Sequence, residues 1–321
     1  VKMIDVLIYL VLTIVFLILL RKWFEGTQYK KDTRADGKVV LITGGNTGIG
    51  YETALDLVKR GAKVYIACRS LDKATEAQKK IIEQTNSANI YVRELDLASF
   101  DSIRNFAQKF NDEEPRLDIL INNAGVMACP KTLTTDGIEA QIGVNHLGHF
   151  LLTNLLLDKV KSSTPSRIVN VSSKAHIIGR INRNDLLSEK SYNRVTAYSQ
   201  SKLANILFTK ELAKRLEGTG VTVYTLHPGS VNTELLRHIN NTFSFIEFLL
   251  HLFYRYFFKT PKSGAQTTLY CALDPKLSTD SGKYYMDCKE TSCSKYGRDD
   301  DTAEWLWIQS EKIVGLSRKD S

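Results

Sequence analysis

From residue 38 onward, short β-branched runs alternate with amphipathic stretches, and one apolar block stands ahead of them. Residues 6–20 are apolar apart from Tyr9 and Thr13. With Ile4 and Asp5 the block approaches the roughly 17 residues that let a helix span a bilayer. Arg21, Lys22 and Trp23 follow at once, then Lys30, Lys31 and Arg34. A signal peptide would carry its basic residues first and small residues at a cleavage site, so the block reads as an uncleaved anchor. The lysines and arginines behind it place the following domain on the cytoplasmic side. A short buried core helix fits less well, because the block is apolar all round. This gives a membrane anchor at residues 1–25, a polar linker at 26–36 and one domain at 37–321.

The domain opens on a strand at 38–42. There follow a helix at 51–60, a strand at 63–67, a helix at 71–84, a strand at 90–95 and a helix at 100–110. A strand at 117–121 and a long helical stretch at 136–161 come next, then a strand at 167–171 and a polar insertion to Arg194. A helix at 196–216 and a strand at 221–226 complete six units. Such alternation predicts an α/β architecture, a Rossmann-type doubly wound parallel sheet. Residues 282–286 bring it to about seven strands, and helices at 262–273 and 302–316 close the chain. Residues 243–258 carry eight aromatic rings, interrupted by His251 and Arg255. The stretch predicts an apolar lid near 240–260, over a greasy substrate at the membrane interface, or else a core helix packed on the sheet.

With 321 residues, 43% of them hydrophobic, the chain has ample material for one large core. Its formal net charge is +8. No basic run is dense, acids are interspersed and no nucleic-acid motif is present, so the charge belongs to a solvated surface with some bias toward anionic membrane. The five cysteines, Cys68, Cys129, Cys271, Cys288 and Cys293, are odd in number and include no C-x-x-C pair. That pattern fits free thiols in a reducing compartment. His146 and His149 lack a third ligand and read as packing or hydrogen-bonding residues, so no metal site is expected.

The candidate chemistry gathers where strands end. The first strand runs into Thr43-Gly44-Gly45-Asn46-Thr47-Gly48-Ile49-Gly50, and a helix follows. A glycine cluster between strand and helix lets backbone N–H groups approach a pyrophosphate at the helix N-terminus. The spacing is G-x-x-x-G-x-G, a variant of the dinucleotide loop. About 20 residues later a protein that binds NAD offers an acid to the ribose; this chain offers Arg69, with Ser70 beside it. A guanidinium suits a 2′-phosphate and favours NADP(H), although Asp72 is near and Arg69 also fits a solvated surface charge. Asp96, the run Asn122-Asn123-Ala124-Gly125, Ser172-Ser173 and His227-Pro228-Gly229 end other strands, on one edge if the sheet is parallel. Asn145, amid apolar residues on a helix, needs a partner and also fits a satisfied core amide. Tyr198 and Lys202 lie one turn apart on one helix face. A fixed positive charge lowers a phenol's pKa and makes it a possible acid or base near neutral pH; alone, the pair also fits a core ring beside a solvated charge.

In order, T-G-x-x-x-G-I-G, N-N-A-G, N-V-S-S, Y-x-x-x-K and P-G resemble the short-chain dehydrogenase/reductases of the classical type. Asn46-Thr47-Gly48-Ile49-Gly50, Ala67-Cys68-Arg69, the run from Val144 to Phe150, Ser201-Lys202-Leu203-Ala204-Asn205, Asp287-Cys288-Lys289 and Thr302-Ala303-Glu304-Trp305-Leu306-Trp307 are similar to the membrane-bound retinol dehydrogenases. The resemblance implies that Tyr198 is the general acid of carbonyl reduction, or the base in reverse. It implies that Lys202 lowers its pKa and holds the nicotinamide ribose, that Ser173 bonds the reacting oxygen, and that Asn145 holds a water in a proton relay. Gly44, Asn46, Thr47, Gly48, Ile49, Gly50, Arg69, Asp96, Leu97, Asn123, Ala124 and Gly125 would line the cofactor, and Pro228, Gly229 and Thr233 its nicotinamide end. The insertion at 180–194 is longer than in many soluble members and similar to the retinol dehydrogenase group; its role stays open.

These implications amount to an NADP(H)-dependent oxidoreductase for a membrane-dissolved carbonyl: retinal first, with a steroid or fatty aldehyde as alternatives. They extend to an endoplasmic reticulum membrane with the domain facing the cytosol, contact with membrane lipid, and a homodimer; a short anchor alone says only membrane. A non-catalytic NADPH-binding membrane scaffold is the rival of another class. It has no need of Ser173, Tyr198, Lys202 and Asn145 together.

Overall fold

The computed structural model describes residues 3–231 and 258–316. Most of the expected lid near 240–260, and Thr233, lie outside the described residues. Helix α1, Met3–Glu25, leads the chain. Its apolar side chains from residue 6 to 19 are exposed all round, and its mean hydropathy reaches 2.2. By length and composition it is able to cross a membrane.

The domain runs β1 Val39–Thr43, α2 Gly48–Lys59, β2 Lys63–Cys68, α3 Leu71–Thr85, β3 Ile90–Glu94, α4 Phe100–Glu113 and β4 Ile119–Asn122. A helical turn at Ala140–Ile142 and a π turn at Gly143–Leu147 lead into α5, Gly148–Ser162. The second half is β5 Ser166–Val171, a 3-10 turn Lys174–Ile177, α6 Arg194–Arg215, β6 Val221–His227, α7 Pro261–Leu273, β7 Lys283–Met286, β8 Lys289–Glu290 and α8 Asp300–Ile313.

The sheet order is β3-β2-β1-β4-β5-β6-β7-β8. The first seven strands are parallel, and the β7–β8 pair is antiparallel. The chain steps outward from β1 to β3, then crosses to β4, so a crevice opens between the carboxyl ends of β1 and β4. Alternation along each strand feeds two cores. Val39 and Leu41 pack with α4, α5, α6 and α8, whereas Val40 and Ile42 pack with α2, α3 and α7. That is the doubly wound arrangement.

Three expectations need correction. The sheet has eight strands rather than about seven. β8 is made by a two-residue turn whose members, Asp287 and Cys288, both take positive φ, 51° and 56°. This left-handed pair suits a tight hairpin, but Asp-Cys lacks the glycine that signals one. The helical stretch expected from 136 starts at Ala140, because Leu133 and Glu139 form an antiparallel bridge first. The Glu139 carboxylate then caps the N–H groups of Gln141 and Ile142, at 2.8 and 3.0 Å. Finally, the polar stretch 26–36 is no loose spacer: Tyr29 and Ala35 are buried in the core beneath α7.

The insertion is pinned to the C-terminal region. The Arg180 guanidinium lies 3.5 Å from the centroid of Tyr296, and Arg183 donates to Thr302 Oγ1 at 3.0 Å. Beneath it, Phe150 packs edge-on against Trp307 at 4.9 Å and beside Phe208 at 5.3 Å, with no exposed surface. Phe150→Ala opens a cavity that neighbouring rings cannot fill. It is expected to cost about 3–5 kcal/mol, read as a lowered midpoint in denaturant unfolding.

Candidate active site

β1 delivers the chain to Gly44 with φ +66°, where the backbone passes so near β4 that a Cβ would lie 3.1 Å from Ala124. At Gly50 a Cβ would sit 2.3 Å from the Gly44 carbonyl oxygen. The loop thus turns tightly into α2, whose N-cap Thr47 makes no side-chain capping bond. The first-turn N–H groups of α2 keep their capacity for an anion, which is the fit a pyrophosphate requires.

This loop forms one wall of a cleft of about 500 Å³ along the carboxyl edge of the sheet. Asn46, Thr47, Gly48 and Ile49 line it with the glycines. Arg69 closes the end beyond β2, joined by Lys73 from the first turn of α3. Asp72, the nearest acid in sequence, is not part of the lining. Asp96 and Leu97 line the cleft beyond β3, and Asn123, Ala124 and Gly125 beyond β4. Ser173, Tyr198, Lys202, Pro228 and Gly229 line the other end.

Asn145 stands behind the wall, fully buried. Its Nδ2 donates to the Val126 carbonyl and to Ser201 Oγ, each at 2.9 Å, and its Oδ1 accepts from Val126 N at 2.8 Å. The side chain clamps the loop after β4, and the π turn sets it there. A Cβ on Gly125 would meet Asn145 Oδ1 at 3.1 Å and Lys202 Nζ at 3.4 Å, so the glycine lets these two groups approach the cleft.

Ser173 caps the 3-10 turn, its Oγ accepting from Ala175 N at 3.2 Å. His176 Nδ1 donates to the Ser173 carbonyl at 2.7 Å while its Nε2 accepts from Ser294 N at 3.1 Å. The Ser173 hydroxyl stands close enough to the Tyr198 phenol to favour its ionised form. Asn193 caps α6 through Val195 N and Thr196 N, fixing where the helix starts and hence where Tyr198 points. Ser172 Oγ donates to the Lys202 carbonyl at 2.6 Å, and Lys202 Nζ to the Val171 carbonyl at 3.2 Å.

The Lys202 ammonium is 5.8 Å from the Tyr198 ring centroid. Contrary to the expectation of a lowered phenol, burial dominates both groups. It pushes Tyr198 up to about 12, with the Ser173 hydroxyl pulling the other way. It brings Lys202 down to about 8. Desolvation penalises each charged form more than this separation compensates.

Lys73 had no role assigned from sequence; four residues after Arg69, it is a second cation whose spacing on the α3 start was readable. His146 and His149 hydrogen-bond as expected, but nothing in the sequence announced their partners. Thr43 Oγ1 accepts from Asn123 N and Ala124 N, both at 3.0 Å, so its own proton goes to His149 Nε2 at 2.8 Å. His149 is therefore the Nδ1–H tautomer, donating to the Asn145 carbonyl at 3.1 Å. His146 meets Ser310 Oγ at 2.9 Å. His227, also in the lining, accepts from Lys174 N through Nδ1 at 3.2 Å. Among the described residues no three His, Cys, Asp or Glu side chains are placed to hold a metal.

A glycine loop at the crossing point of a parallel sheet, with a tyrosine and a lysine facing it across the cleft, is the layout of a nicotinamide-dinucleotide oxidoreductase. Residues 38–243 match the family model described as short chain dehydrogenase, and the chain belongs to that family. Among its relatives are retinol dehydrogenases. It is 54% identical to human retinol dehydrogenase 12, over 92% of each chain, and 52% identical to mouse retinol dehydrogenase 11 with the same coverage. Among solved structures it resembles an uncharacterized protein from Mycobacterium paratuberculosis, with 37% identity, TM-score 0.72, and 90% of this chain and 98% of that one covered. The NADP active-site complex of Pseudomonas aeruginosa RhlG is 26% identical, with TM-score 0.62, covering 78% of this chain and 94% of that one.

Burial holds His146 near 3 and both His149 and His227 near 4. Between these values and the free value of about 6.5 the unfolded chain binds more protons than the folded one. Stability is therefore expected to be full above pH 6.5 and to fall as pH drops toward 4, by about 1.4 kcal/mol per histidine one unit below the free value. Urea midpoints at pH 7.5 and 5.5 test this; equal midpoints would show that the rings are not held neutral.

Proposed function

We propose that this chain is a membrane-anchored, NADP(H)-dependent reductase of a lipophilic aldehyde or ketone, with retinal as the first substrate. The observation that carries the reading is the Tyr198 phenol, buried in the cleft beside the Ser173 hydroxyl and one turn from Lys202. The nicotinamide, when bound, supplies the hydride, and the residues supply orientation and the proton. Ser173 holds the carbonyl oxygen of the substrate. Tyr198 donates its proton to that oxygen as the hydride arrives, and Lys202, charged, stabilises the phenolate left behind. Lys202 also holds the nicotinamide ribose. Asn145 spends its side chain on Val126 and Ser201, and its main-chain carbonyl accepts from His149 Nδ1, so a part in a proton relay rests on that carbonyl's second lone pair accepting from a water.

Arg69 and Lys73 favour NADP(H) over NAD(H), since two cations at the adenosine end suit a 2′-phosphate, and the acid in the lining there, Asp96, follows β3 rather than β2. Pro228 and Gly229, at the other end of the cleft, would flank the nicotinamide. The exposed apolar surface of α1, together with retinol dehydrogenase relatives, supports an anchored enzyme. The basic residues behind the anchor favour a domain facing the cytosol, where NADPH drives reduction.

Two substitutions test the parts separately. In Tyr198→Phe, turnover of retinal is expected to fall by at least about a hundredfold while NADPH affinity is retained; unchanged turnover would sink the mechanism. In Arg69→Ala, NADPH affinity is expected to weaken about tenfold or more, the loss of a charged hydrogen bond, with NADH unaffected. Equal loss for both cofactors would make Arg69 a general surface charge.

A further inference from the structure

The stretch after α1 lies zipped against the domain. Gln28 Nε2 donates to Ser263 Oγ at 3.2 Å, Tyr29 N to Gln266 Oε1 at 3.0 Å, and Lys31 Nζ to Asp274 Oδ1 at 2.8 Å, so the chain runs along the whole of α7. The contact begins inside α1 itself. Arg21 and Glu25 form an ion pair across the last turn of the helix, each about three-quarters buried. Arg21 Nη1 donates to the Phe258 carbonyl at 2.6 Å. Glu25 Oε2 accepts from Thr260 N at 3.3 Å and from Thr260 Oγ1 at 3.1 Å. One side chain thus takes the acceptor and the other the donors of a single strap, residues 258–260.

That strap is part of the cleft. Phe258 and Val231 both line it. Val231 bridges to Lys259, Lys259 N donates to the Ser230 carbonyl at 2.8 Å, and the Lys259 ammonium pairs with Asp287. From the last turn of α1 to the cleft wall, each step is a hydrogen bond or a backbone bridge. The unbroken apolar block of α1 ends at Leu20 and the joint occupies residues 21–25, with Trp23 and Phe24 between its two charged members. At 1.5 Å per residue, these are within about 8 Å of the end of the apolar block, the depth of lipid headgroups.

We propose that the last turn of α1 is a fixed joint that seats the Phe258 side of the cleft at the bilayer surface, with Arg21 and Glu25 as positioning residues for a substrate dissolved in the membrane. The proposal rests on the reading of the chain as an anchored enzyme for a lipophilic carbonyl. An anchor that only tethered the domain would need no ion pair clamped on the cleft wall. Held by this joint, the cleft receives an apolar substrate from the bilayer without a passage through bulk water, and the joint sets how readily substrate enters rather than how fast it reacts.

The test uses the full chain reconstituted in phosphatidylcholine vesicles. Two changes are made independently: the double variant Arg21→Ala with Glu25→Ala, and a four-residue Gly-Ser spacer inserted after Leu20, which keeps every side chain but uncouples the joint from the apolar block. Retinal is presented in the vesicles and, separately, in detergent micelles. In vesicles both changes are expected to raise the apparent KM for retinal about fivefold or more, as local substrate supply is lost, with kcat unchanged. In micelles both are expected to match the wild type. An unchanged KM in vesicles overturns the proposal, as does an equal loss in both presentations. If the double variant does not fold, the spacer variant decides alone. A wild type that turns over retinal in neither presentation removes the functional reading itself, a result separate from any behaviour of the variants.

Discussion

Polar groups at the carboxyl edge of the sheet are removed from water and have to be paired within the protein. The Thr43 hydroxyl meets this constraint for three segments at once. It accepts the N–H groups of Asn123 and Ala124 and passes its proton to His149, which in turn bonds the Asn145 carbonyl. The end of β1, the loop after β4 and the π turn before α5 are held by one oxygen. The glycine loop and Asn145 therefore keep a fixed relation although they lie far apart in sequence. Because each partner is buried, removing one leaves the others unpaired, and the arrangement stands or falls together.

The same burial governs the chemistry of the other end. Tyr198 and Lys202 sit in surroundings that disfavour both phenolate and ammonium. The phenol resists ionising while the lysine, near 8, keeps its charge at neutral pH, which suits a proton donor that must act only when substrate and cofactor are in place. Around it the supports are neutral: His176 holds Ser173 through its carbonyl, and His227 accepts the N–H of Lys174. The cationic residues Arg69 and Lys73 lie at the opposite end, where an anion would bind. The cleft thus separates a charged, exposed recognition end from a dry reacting end.

Much of this was legible in the chain. Strand–helix alternation defined the doubly wound sheet, the glycine spacing located the loop, and every residue expected at the cofactor or catalytic site that lies within the described residues, Asn145 excepted, lines one cleft. These features are local: periodicity follows from which face is buried, and a tight turn into a helix requires glycine whatever surrounds it. Helix α1 was readable for the same reason, since length and uninterrupted apolarity are properties of a single segment.

What the sequence could not determine depends on distant partners. Nothing around His149 announces that it will accept from Thr43 and donate to Asn145, because that pairing exists only once β1 and α5 are packed. The pKa of Tyr198 was misjudged from the Lys202 spacing alone, since i and i+4 give proximity but not burial. Residues 26–36 look polar and loose, yet their bonds to α7 need a helix more than 230 positions away. The eighth strand hangs on two left-handed residues that carry no glycine. Periodicity and turn chemistry were determined by the sequence itself; desolvation, tautomer and long-range pairing were decided by the tertiary structure, because each is a property of the space between segments.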